Sequence, residues 1–311
     1  MQLISYTSMQ TLRKWLKQQR KRYSYEELTL LTSLDLDSHK LSEIPPTIGN
    51  LTSLKTLSLN SNNLLTLPPE IGNLTSLTEL QLYGNNLSII PPEIGLLTSL
   101  TELYLSNNNL STIPYEICNL TSLNVLDLDD NNLSIIPREI ENLTLLDSLE
   151  LGDNNLSTIP SEIGLLVSLT ELYLAGNNLS IIPPIMGNLT LLKTLSLNGN
   201  NLSTLPPEIG NLISLTELQL YDNNLSIIPP EICKLTIEHK LIIVDLRNNN
   251  LKIPRNFGQI DFCKFVYSLH IHLIVKKYYY KWRSIIINRR GPINEHETCI
   301  LQNYIVLYSG G

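Results

Sequence analysis

Six of the eight carboxylate residues between positions 127 and 153 carry a combined charge that could attract a cation or a basic group. They are Asp127, Asp129, Asp130, Asp147, Glu150 and Asp153. Mutual repulsion between these carboxylates would make the surface that carries them receptive to positive charge. Because such attraction is screened by salt, it predicts recognition that is fast and sensitive to ionic strength.

Other combinations of residues that support catalysis or metal binding are incomplete. The sequence lacks a phosphate-binding loop of the P-loop type, a kinase signature and a G-x-S-x-G motif. His296-Glu297 lacks the second histidine of a zinc-protease motif, and Cys263, His270 and His272 have no fourth ligand at a recognisable spacing. We therefore predict that the chain is not an enzyme and that it uses no cofactor or metal.

The positions of the acids become meaningful within a repeat of 23 residues. The pattern L-x-x-L-x-L-x-x-N-x-L begins at Leu77 and recurs at this interval from Leu54 to Leu215. A weaker copy begins at Leu31, where His39 replaces the asparagine, and another begins at Leu241 after a three-residue insertion. Ten copies in one frame predict a solenoid, in which each unit buries its leucines only against its neighbours.

Each copy predicts a short strand, a turn and a return segment. In Leu80-Gln81-Leu82 the alternation puts both leucines on one side of a strand, and successive copies would stack as a parallel sheet. Asn85 falls where the chain leaves the strand, so its amide could bond the backbone of the turn and form a ladder with its equivalents. The segment from Ile90 to Gly95 contains two prolines and predicts a short helical or 3₁₀ turn.

The segment LPPEIGNLTSLTELQLYGNNLSII (67–90) resembles the 23-residue leucine-rich repeats of intracellular scaffold proteins. The similar families are the Ras-suppressor-like proteins and the plant Ras-group-related repeat proteins. The resemblance covers about residues 28–257. It implies an α/β solenoid that forms a right-handed arc, with a parallel sheet on the concave face and short helical or 3₁₀ turns on the convex face. It also implies protein–protein recognition, often in signalling, and the residue usage resembles that of amoebal giant viruses or amoebae.

In this arrangement the residues between the strand leucines project from the concave face, where a partner would bind. Tyr104 and Tyr173 share a column with Asp127 and Glu150, and Tyr83 and Tyr221 lie farther out. We predict that these tyrosines and the six acids bind a protein with a basic surface. The alternative is a face that is polar only for solubility. Segmental duplication of 54–94 as 192–232 also explains why Tyr83 recurs as Tyr221.

The two ends of the chain are basic, whereas the middle is acidic. Six basic against two acidic residues give 1–30 a charge of +4, eight against three give 254–311 a charge of +5, and the net charge of −7 therefore leaves −16 for the middle. Met9, Leu12, Trp15 and Leu16 fall on one helical face, and Ser24 with Glu27 forms a capping box. We expect an N-terminal helical cap at 1–30, a solenoid at 31–257 and a C-terminal cap with a Tyr-rich tail at 258–311.

The basic ends leave a second interpretation open, in which the protein is an adaptor that touches a membrane or nucleic acid. We regard both as less favoured partners, and the oligomeric state is not indicated. The four cysteines have no C-x-x-C spacing, and Arg13, Lys14 and Lys17 interrupt the apolar stretch of the N-terminus. These features predict free thiols, no signal peptide and a cytoplasmic scaffold that acts in signalling or host interaction.

Overall fold

The computed structural model describes residues 6–229, 231–232, 235 and 243–251. Ten parallel strands form one sheet in the order of the sequence, from β1 to β10. Every strand has three residues, and a 3₁₀ helix of five residues precedes each of the strands from β2 to β9. The predicted α/β leucine-rich-repeat solenoid is confirmed, while the predicted C-terminal cap and tail lie outside the described residues.

The chain begins with two α-helices and then alternates strands with 3₁₀ helices. The α-helices are α1 (Tyr6–Gln18) and α2 (Tyr25–Thr29). The strands are β1 (Ser33–Asp35), β2 (Thr56–Ser58), β3 (Glu79–Gln81), β4 (Glu102–Tyr104), β5 (Val125–Asp127), β6 (Ser148–Glu150), β7 (Glu171–Tyr173), β8 (Thr194–Ser196), β9 (Glu217–Gln219) and β10 (Ile243–Asp245). The 3₁₀ helices are η1 (Pro46–Asn50), η2 (Pro69–Asn73), η3 (Pro92–Leu96), η4 (Tyr115–Asn119), η5 (Arg138–Asn142), η6 (Ser161–Leu165), η7 (Pro184–Asn188) and η8 (Pro207–Asn211).

The leucine positions of each repeat form one continuous core. From β1 to β9 the middle residues of neighbouring strands pair in register at intervals of 23, as Leu103 does with Leu126 and Leu126 with Leu149. These leucines are completely buried. The residues on either side of each central leucine project to the other side of the sheet, which we call the concave face. A residue on this face therefore has its equivalents from the adjacent repeats as direct neighbours.

A buried asparagine ladder joins the repeats, as the sequence predicted. The Asn131 Nδ2 group donates to the carbonyl oxygens of Leu105, Leu128 and Asp129, at 3.0, 3.2 and 3.1 Å. Its Oδ1 accepts a hydrogen bond from the Leu110 amide at 3.0 Å. The same pattern links each of the equivalents from Asn62 to Asn223 with the preceding repeat. Each asparagine thus satisfies polar backbone groups that the core would otherwise leave without partners.

Glycine in the 3₁₀ helices allows the convex turns to approach closely. A Cβ atom on Gly95 would lie 2.5 Å from the Glu116 carbonyl oxygen of the next repeat, which is too close for any side chain. Cys118 and Glu141 occupy the equivalent glycine position in the next two repeats. The η4–η5 and η5–η6 pairs pack less closely than the other neighbouring pairs, as these larger side chains require. Cys118 and Glu141 therefore make the packing between the 3₁₀ helices less close on the convex side next to β5 and β6.

The N-terminal helices cover the first repeat. Met9, Leu12 and Leu16 of α1 are buried, and the Asn50 side chain of η1 donates to the Ser8 hydroxyl at 3.1 Å. The predicted capping box of α2 is confirmed: the Ser24 amide donates to Glu27 Oε2 at 2.6 Å, and the Glu27 amide donates to Ser24 Oγ at 3.1 Å. Among the described residues, no helix has the length and apolar character needed to cross a membrane.

We predict that Asn131→Leu lowers the free energy of unfolding chiefly through one backbone amide. The three carbonyls that Asn131 bonds each accept a second hydrogen bond, from Asn108, Asn154 or the Asn107 amide. Leu110 N–H has no such substitute, so its burial without a partner costs roughly 1–3 kcal/mol. Urea unfolding of the full chain measures the loss. Asn132→Leu is the matched control because that side chain is exposed; equal stability of the two variants would contradict the ladder.

Candidate functional site

Four consecutive strands place a tyrosine, two acids and a second tyrosine in one row on the concave face. Tyr104 of β4 pairs with Asp127 of β5, Asp127 pairs with Glu150 of β6, and Glu150 pairs with Tyr173 of β7. Neighbouring strands in a sheet are about 4.8 Å apart. The row therefore spans about 15 Å, a length that one extended segment of a partner could cover.

Three carboxylates of this region form a compact group, which we call the acidic centre: Asp127, Asp129 and Glu150. One oxygen from each lies within 4.8 Å of the others. Asp127 accepts hydrogen bonds from the Ser106 hydroxyl and, at 3.1 Å, from the Asp129 amide. Asp129 accepts a hydrogen bond from the Gly152 amide. These donors hold two of the carboxylates in place, so the acidic centre is fixed by the fold.

Burial raises the pKa of all three acids. The pKa of Glu150 rises to about 7, first because of burial and then because of the negative charges of Asp127 and Asp129. The pKa of Asp129 rises to about 6, mainly through burial, although the Gly152 amide opposes the rise. Burial also raises the pKa of Asp127, against the hydrogen bonds from Ser106 and the Asp129 backbone. The acidic centre thus contains charges that have lost part of their hydration without gaining a counter-charge.

Such a group of carboxylates has one evident chemical capability, which is to bind positive charge. The three oxygens could contact an ammonium or guanidinium group, and oxygen ligands of this kind also suit a divalent cation such as Ca²⁺. The neighbouring residues favour the organic cations, because aromatic rings flank the acids on both sides and could stack on an Arg or a Lys side chain.

The flanking tyrosines are held by glutamates that our sequence analysis did not identify. The Tyr104 hydroxyl donates to Glu102 Oε2 at 2.8 Å, and the Tyr173 hydroxyl donates to Glu171 Oε2 at 3.3 Å. Burial, together with these glutamates, raises the pKa of both tyrosines to about 12. The sequence signal was present, since Glu and Tyr two residues apart on a strand share one face.

Three of the six predicted acids lie outside the acidic centre. Asp130 and Asp153 are exposed in the turn after the strand, with backbone φ of 53° and 47°. Equivalent positions in other repeats hold Asn107 and Gly176, also with positive φ. Asp and Asn tolerate this left-handed conformation better than most residues, so the turn itself explains the aspartates. Asp147 is exposed in the residue before β6.

The two outer tyrosines are also separate from the acidic centre. Tyr83 is 47% exposed and lies two repeats from Asp129 in the same column. Tyr221 lies four repeats from Asp129, and the Arg247 guanidinium covers its ring at 5.3 Å from the centroid. Arg247 is in turn paired with Asp245 at 2.5 Å. The structure therefore brings Tyr104 and Tyr173 to the acidic centre, but not Tyr83 or Tyr221.

Comparison with known families supports the repeat assignment. The family described as "Leucine-rich repeat region" matches residues 9–129 and 114–199, and "Leucine Rich Repeat" matches 191–212 and 214–235. The chain belongs to the leucine-rich-repeat family. This fold is typically a non-enzymatic interaction scaffold, and proteins that contain it generally mediate protein–protein interaction. A comparison with curated proteins found no significant match.

Several solved structures are similar to this leucine-rich-repeat protein. An LRR protein of Leptospira interrogans is 38% identical with a TM-score of 0.71, over 79% of this chain and 61% of that chain. The LRR ectodomain of the Arabidopsis thaliana receptor kinase GASSHO1/SCHENGEN3, in complex with CASPARIAN STRIP INTEGRITY FACTOR 2, is 34% identical with a TM-score of 0.66, over 78% of this chain and 30% of that chain.

A third similar structure is the functional domain of InlJ from Listeria monocytogenes. It is 26% identical with a TM-score of 0.65, over 77% of this chain and 48% of that chain. The present chain thus spans less than two thirds of each of these three proteins. One of them is the ectodomain of a membrane receptor kinase, so the similar structures include extracellular domains.

We predict that Glu150→Gln stabilises the protein at alkaline pH. Because the folded-state pKa of Glu150 lies above its ordinary value of 4.5, its contribution to stability is complete below that value and is lost as pH rises through about 7. The variant should gain on the order of 1 kcal/mol at about pH 8, after allowance for partial solvent screening, and little at about pH 4. Thermal melting across this range measures the difference.

The control is Glu139→Gln, which removes the same charge from an exposed site on η5. A gain in stability that is equal for both variants, or independent of pH, would mean that total charge rather than the acidic centre is responsible.

Proposed function

We propose that this protein is a non-catalytic scaffold whose concave face binds a basic segment of another protein at the acidic centre. The supporting observation is the grouping of Asp127, Asp129 and Glu150, whose carboxylate oxygens lie within 4.8 Å of one another. Among the described residues, the one ion pair is between Arg247 and Asp245, so no basic side chain of this part of the chain neutralises the acidic centre.

A basic partner would relieve the cost that raises the pKa values of the acidic centre. An Arg or Lys side chain placed between Asp127 and Glu150 would replace lost hydration with charge-assisted hydrogen bonds. Since a bound cation favours the charged carboxylates, binding should release protons at pH values near 6 to 7. Affinity should therefore increase as pH rises through the pKa values of Asp129 and Glu150.

The tyrosines supply the apolar contact that charge alone does not. Tyr104 and Tyr173 lie one strand outside the two acids, and their hydroxyls are anchored by Glu102 and Glu171. Anchored rings lose little freedom on binding, which makes aromatic residues effective at the centre of an interface. Two aromatic rings around a charged pair would thus slow the release of a bound segment.

The comparisons agree with a macromolecular ligand. GASSHO1/SCHENGEN3 is described in complex with CASPARIAN STRIP INTEGRITY FACTOR 2, and the plant receptor RGFR1, 32% identical with a TM-score of 0.58, is described in complex with RGF2. We carry over to this chain only the class of ligand, a protein or peptide. A role in signalling or host interaction, and a relation to the Ras-suppressor-like proteins or to viruses and amoebae, remain proposals from the sequence.

The compartment is also a proposal. Cys118 is a free, buried cysteine, and burial raises the pKa of its thiol to about 12. An inert thiol of this kind fits a cytoplasmic location, where cysteines are kept reduced. The basic ends, 1–30 and 254–311, would carry the alternative function of contact with a membrane or nucleic acid.

The proposed function predicts that charge reversal in the acidic centre removes binding of a basic peptide. The probe is a fluorescent peptide rich in Lys and Arg, with an equally long Glu-rich peptide for comparison. Asp127→Lys with Glu150→Lys should weaken affinity at least about 30-fold, the effect expected when a close charge pair worth about 2 kcal/mol is lost. Fluorescence anisotropy at several salt concentrations and from about pH 5 to about pH 8 measures the affinity.

The matched control is Glu139→Lys with Glu141→Lys, which changes the net charge equally but on exposed residues of η5. In a third variant, Tyr104→Ala, release should become faster while association changes little. Unchanged affinity in the Asp127/Glu150 variant, or an equal loss in the η5 control, would leave the acidic centre as a solvated face. Binding would then have to be sought at the basic ends.

A further inference from the structure

One edge of the solenoid carries exposed aliphatic residues that break the repeat pattern. The segment that leads from each 3₁₀ helix to the next strand contains the pair Thr-Ser in four successive copies: Thr52-Ser53, Thr75-Ser76, Thr98-Ser99 and Thr121-Ser122. In each of the following four copies, one member of the pair is aliphatic. The replacements are Leu145, Val167, Leu191 and Ile213, which are 54%, 53%, 53% and 48% exposed.

The four aliphatic residues alternate between the second and the first position of the pair, so they follow a zigzag across adjacent repeats. The segments are in direct contact, since the Ser168 hydroxyl donates to the Thr144 carbonyl oxygen of the preceding repeat at 2.7 Å. Leu165, at the end of η6, is 42% exposed, whereas the last residue of every other 3₁₀ helix from η1 to η8, apart from Leu96, is an asparagine. We call Leu145, Leu165, Val167, Leu191 and Ile213 the edge patch.

A need for solubility does not explain the edge patch, because the Thr-Ser pair of the earlier repeats shows that polar residues fit the same position. Five aliphatic side chains at these exposures present about 400 Å² of apolar surface, a size at which exposed patches often mark binding sites. Within the described residues, nothing covers these side chains. The remaining question is which partner fits them.

One acidic and one basic residue lie beside the edge patch at equal distances from its middle repeat, so two copies of this surface could pair opposite charges. Asp147, Thr170 and Lys193 each occupy the residue before a strand, in three successive repeats. Backbone bonds make them direct neighbours: the Thr170 amide donates to the Asp147 carbonyl at 2.8 Å, and the Lys193 amide to the Thr170 carbonyl at 2.7 Å. Asp147 and Lys193 are exposed, and neither belongs to an ion pair in the part of the chain described.

We propose that the edge patch is a homodimer interface, in which a second copy of this chain docks antiparallel about a two-fold axis near Thr170. In such an isologous contact the same surface meets itself, with residue order reversed. Asp147 of one copy then faces Lys193 of the other, and Leu145 faces Leu191. Val167 and Leu165 lie near the axis and meet their own equivalents. One symmetry operation thus pairs these charges and four of the five aliphatic residues, while Ile213 lies at the margin, opposite the Thr121-Ser122 segment of the other copy.

The dimer would be reversible and would leave the concave face open. A standard interface buries about 800 Å² on each partner, so an apolar patch of about 400 Å² needs a polar surround, which Thr144, Thr170 and Thr190 provide. The edge patch lies at the start of the strands, whereas Asp127, Asp129 and Glu150 project from the sheet itself. Each dimer would therefore present two acidic centres, and a partner with two basic segments would bind more tightly through avidity.

The test is the oligomeric state of the full chain, measured by sedimentation velocity over a wide range of protein concentration. The wild-type chain should show a monomer–dimer equilibrium. Val167→Thr with Leu191→Ser restores the residues that the earlier repeats use at these positions, so it should leave folding intact and weaken dimerisation at least tenfold. The control is Ile135→Thr with Ile181→Thr. These side chains are 61% and 60% exposed but lie outside the edge patch, in the segments before η5 and η7, so this variant should dimerise normally.

Charge exchange tests the symmetry directly. Lys193→Asp should weaken the dimer, because two aspartates would then face each other across the interface. Adding Asp147→Lys should restore it, since the pair is rebuilt with reversed polarity. A monomeric wild-type chain at every concentration, a dimer that survives Val167→Thr with Leu191→Ser, or a charge exchange that fails to restore association would each overturn the proposal. Circular dichroism confirms that each variant is folded.

Discussion

The hydrogen bonds of the buried asparagine in the turn after each strand, from Asn62 to Asn223, are the interaction on which the rest of this structure depends. A single 23-residue unit cannot bury its leucines alone, so its stability comes from its neighbours. The Asn131 side chain bonds the backbone of its own turn and the Leu105 carbonyl of the preceding repeat, and its equivalents from Asn62 to Asn223 do the same. Each asparagine converts a sharp, buried turn into a fixed connection between two repeats.

A fixed connection has a direct consequence for function. Because the leucines and asparagines set the register at 23 residues, each residue on the concave face has a known neighbour on either side. Asp127 must lie beside Glu150, and both must lie between Tyr104 and Tyr173. The core holds these acids together although burial, and then repulsion from Asp127 and Asp129, raises the pKa of Glu150. The folding free energy of the whole solenoid thus holds these acids side by side on one surface.

Much of the fold could be predicted because the repeat makes each inference many times over. Leucine periodicity defined the strands, and the Ser24–Glu27 spacing predicted a capping box that the structure contains. The site was less predictable. Asp130 and Asp153 were grouped with the other acids because their positions in the repeat predicted the concave face, but their positive φ angles are a property of the turn. Strand alternation does put Glu102 and Tyr104 on one face, but their hydrogen bond, like the contact of Arg247 with Tyr221, depends on side-chain rotamers, which periodicity does not report.

The central claim is that the acidic centre contacts the basic groups of a partner, and zero-length cross-linking tests it most directly. A carbodiimide joins a carboxylate to an amine only when the two are in contact, and mass spectrometry of a Lys-rich peptide joined to the full chain would identify the carboxylates used. Our account predicts that Asp127, Asp129 and Glu150 carry most of the cross-links, and that salt suppresses them. Cross-links distributed over the exposed glutamates of the 3₁₀ helices, with none at the acidic centre, would contradict it.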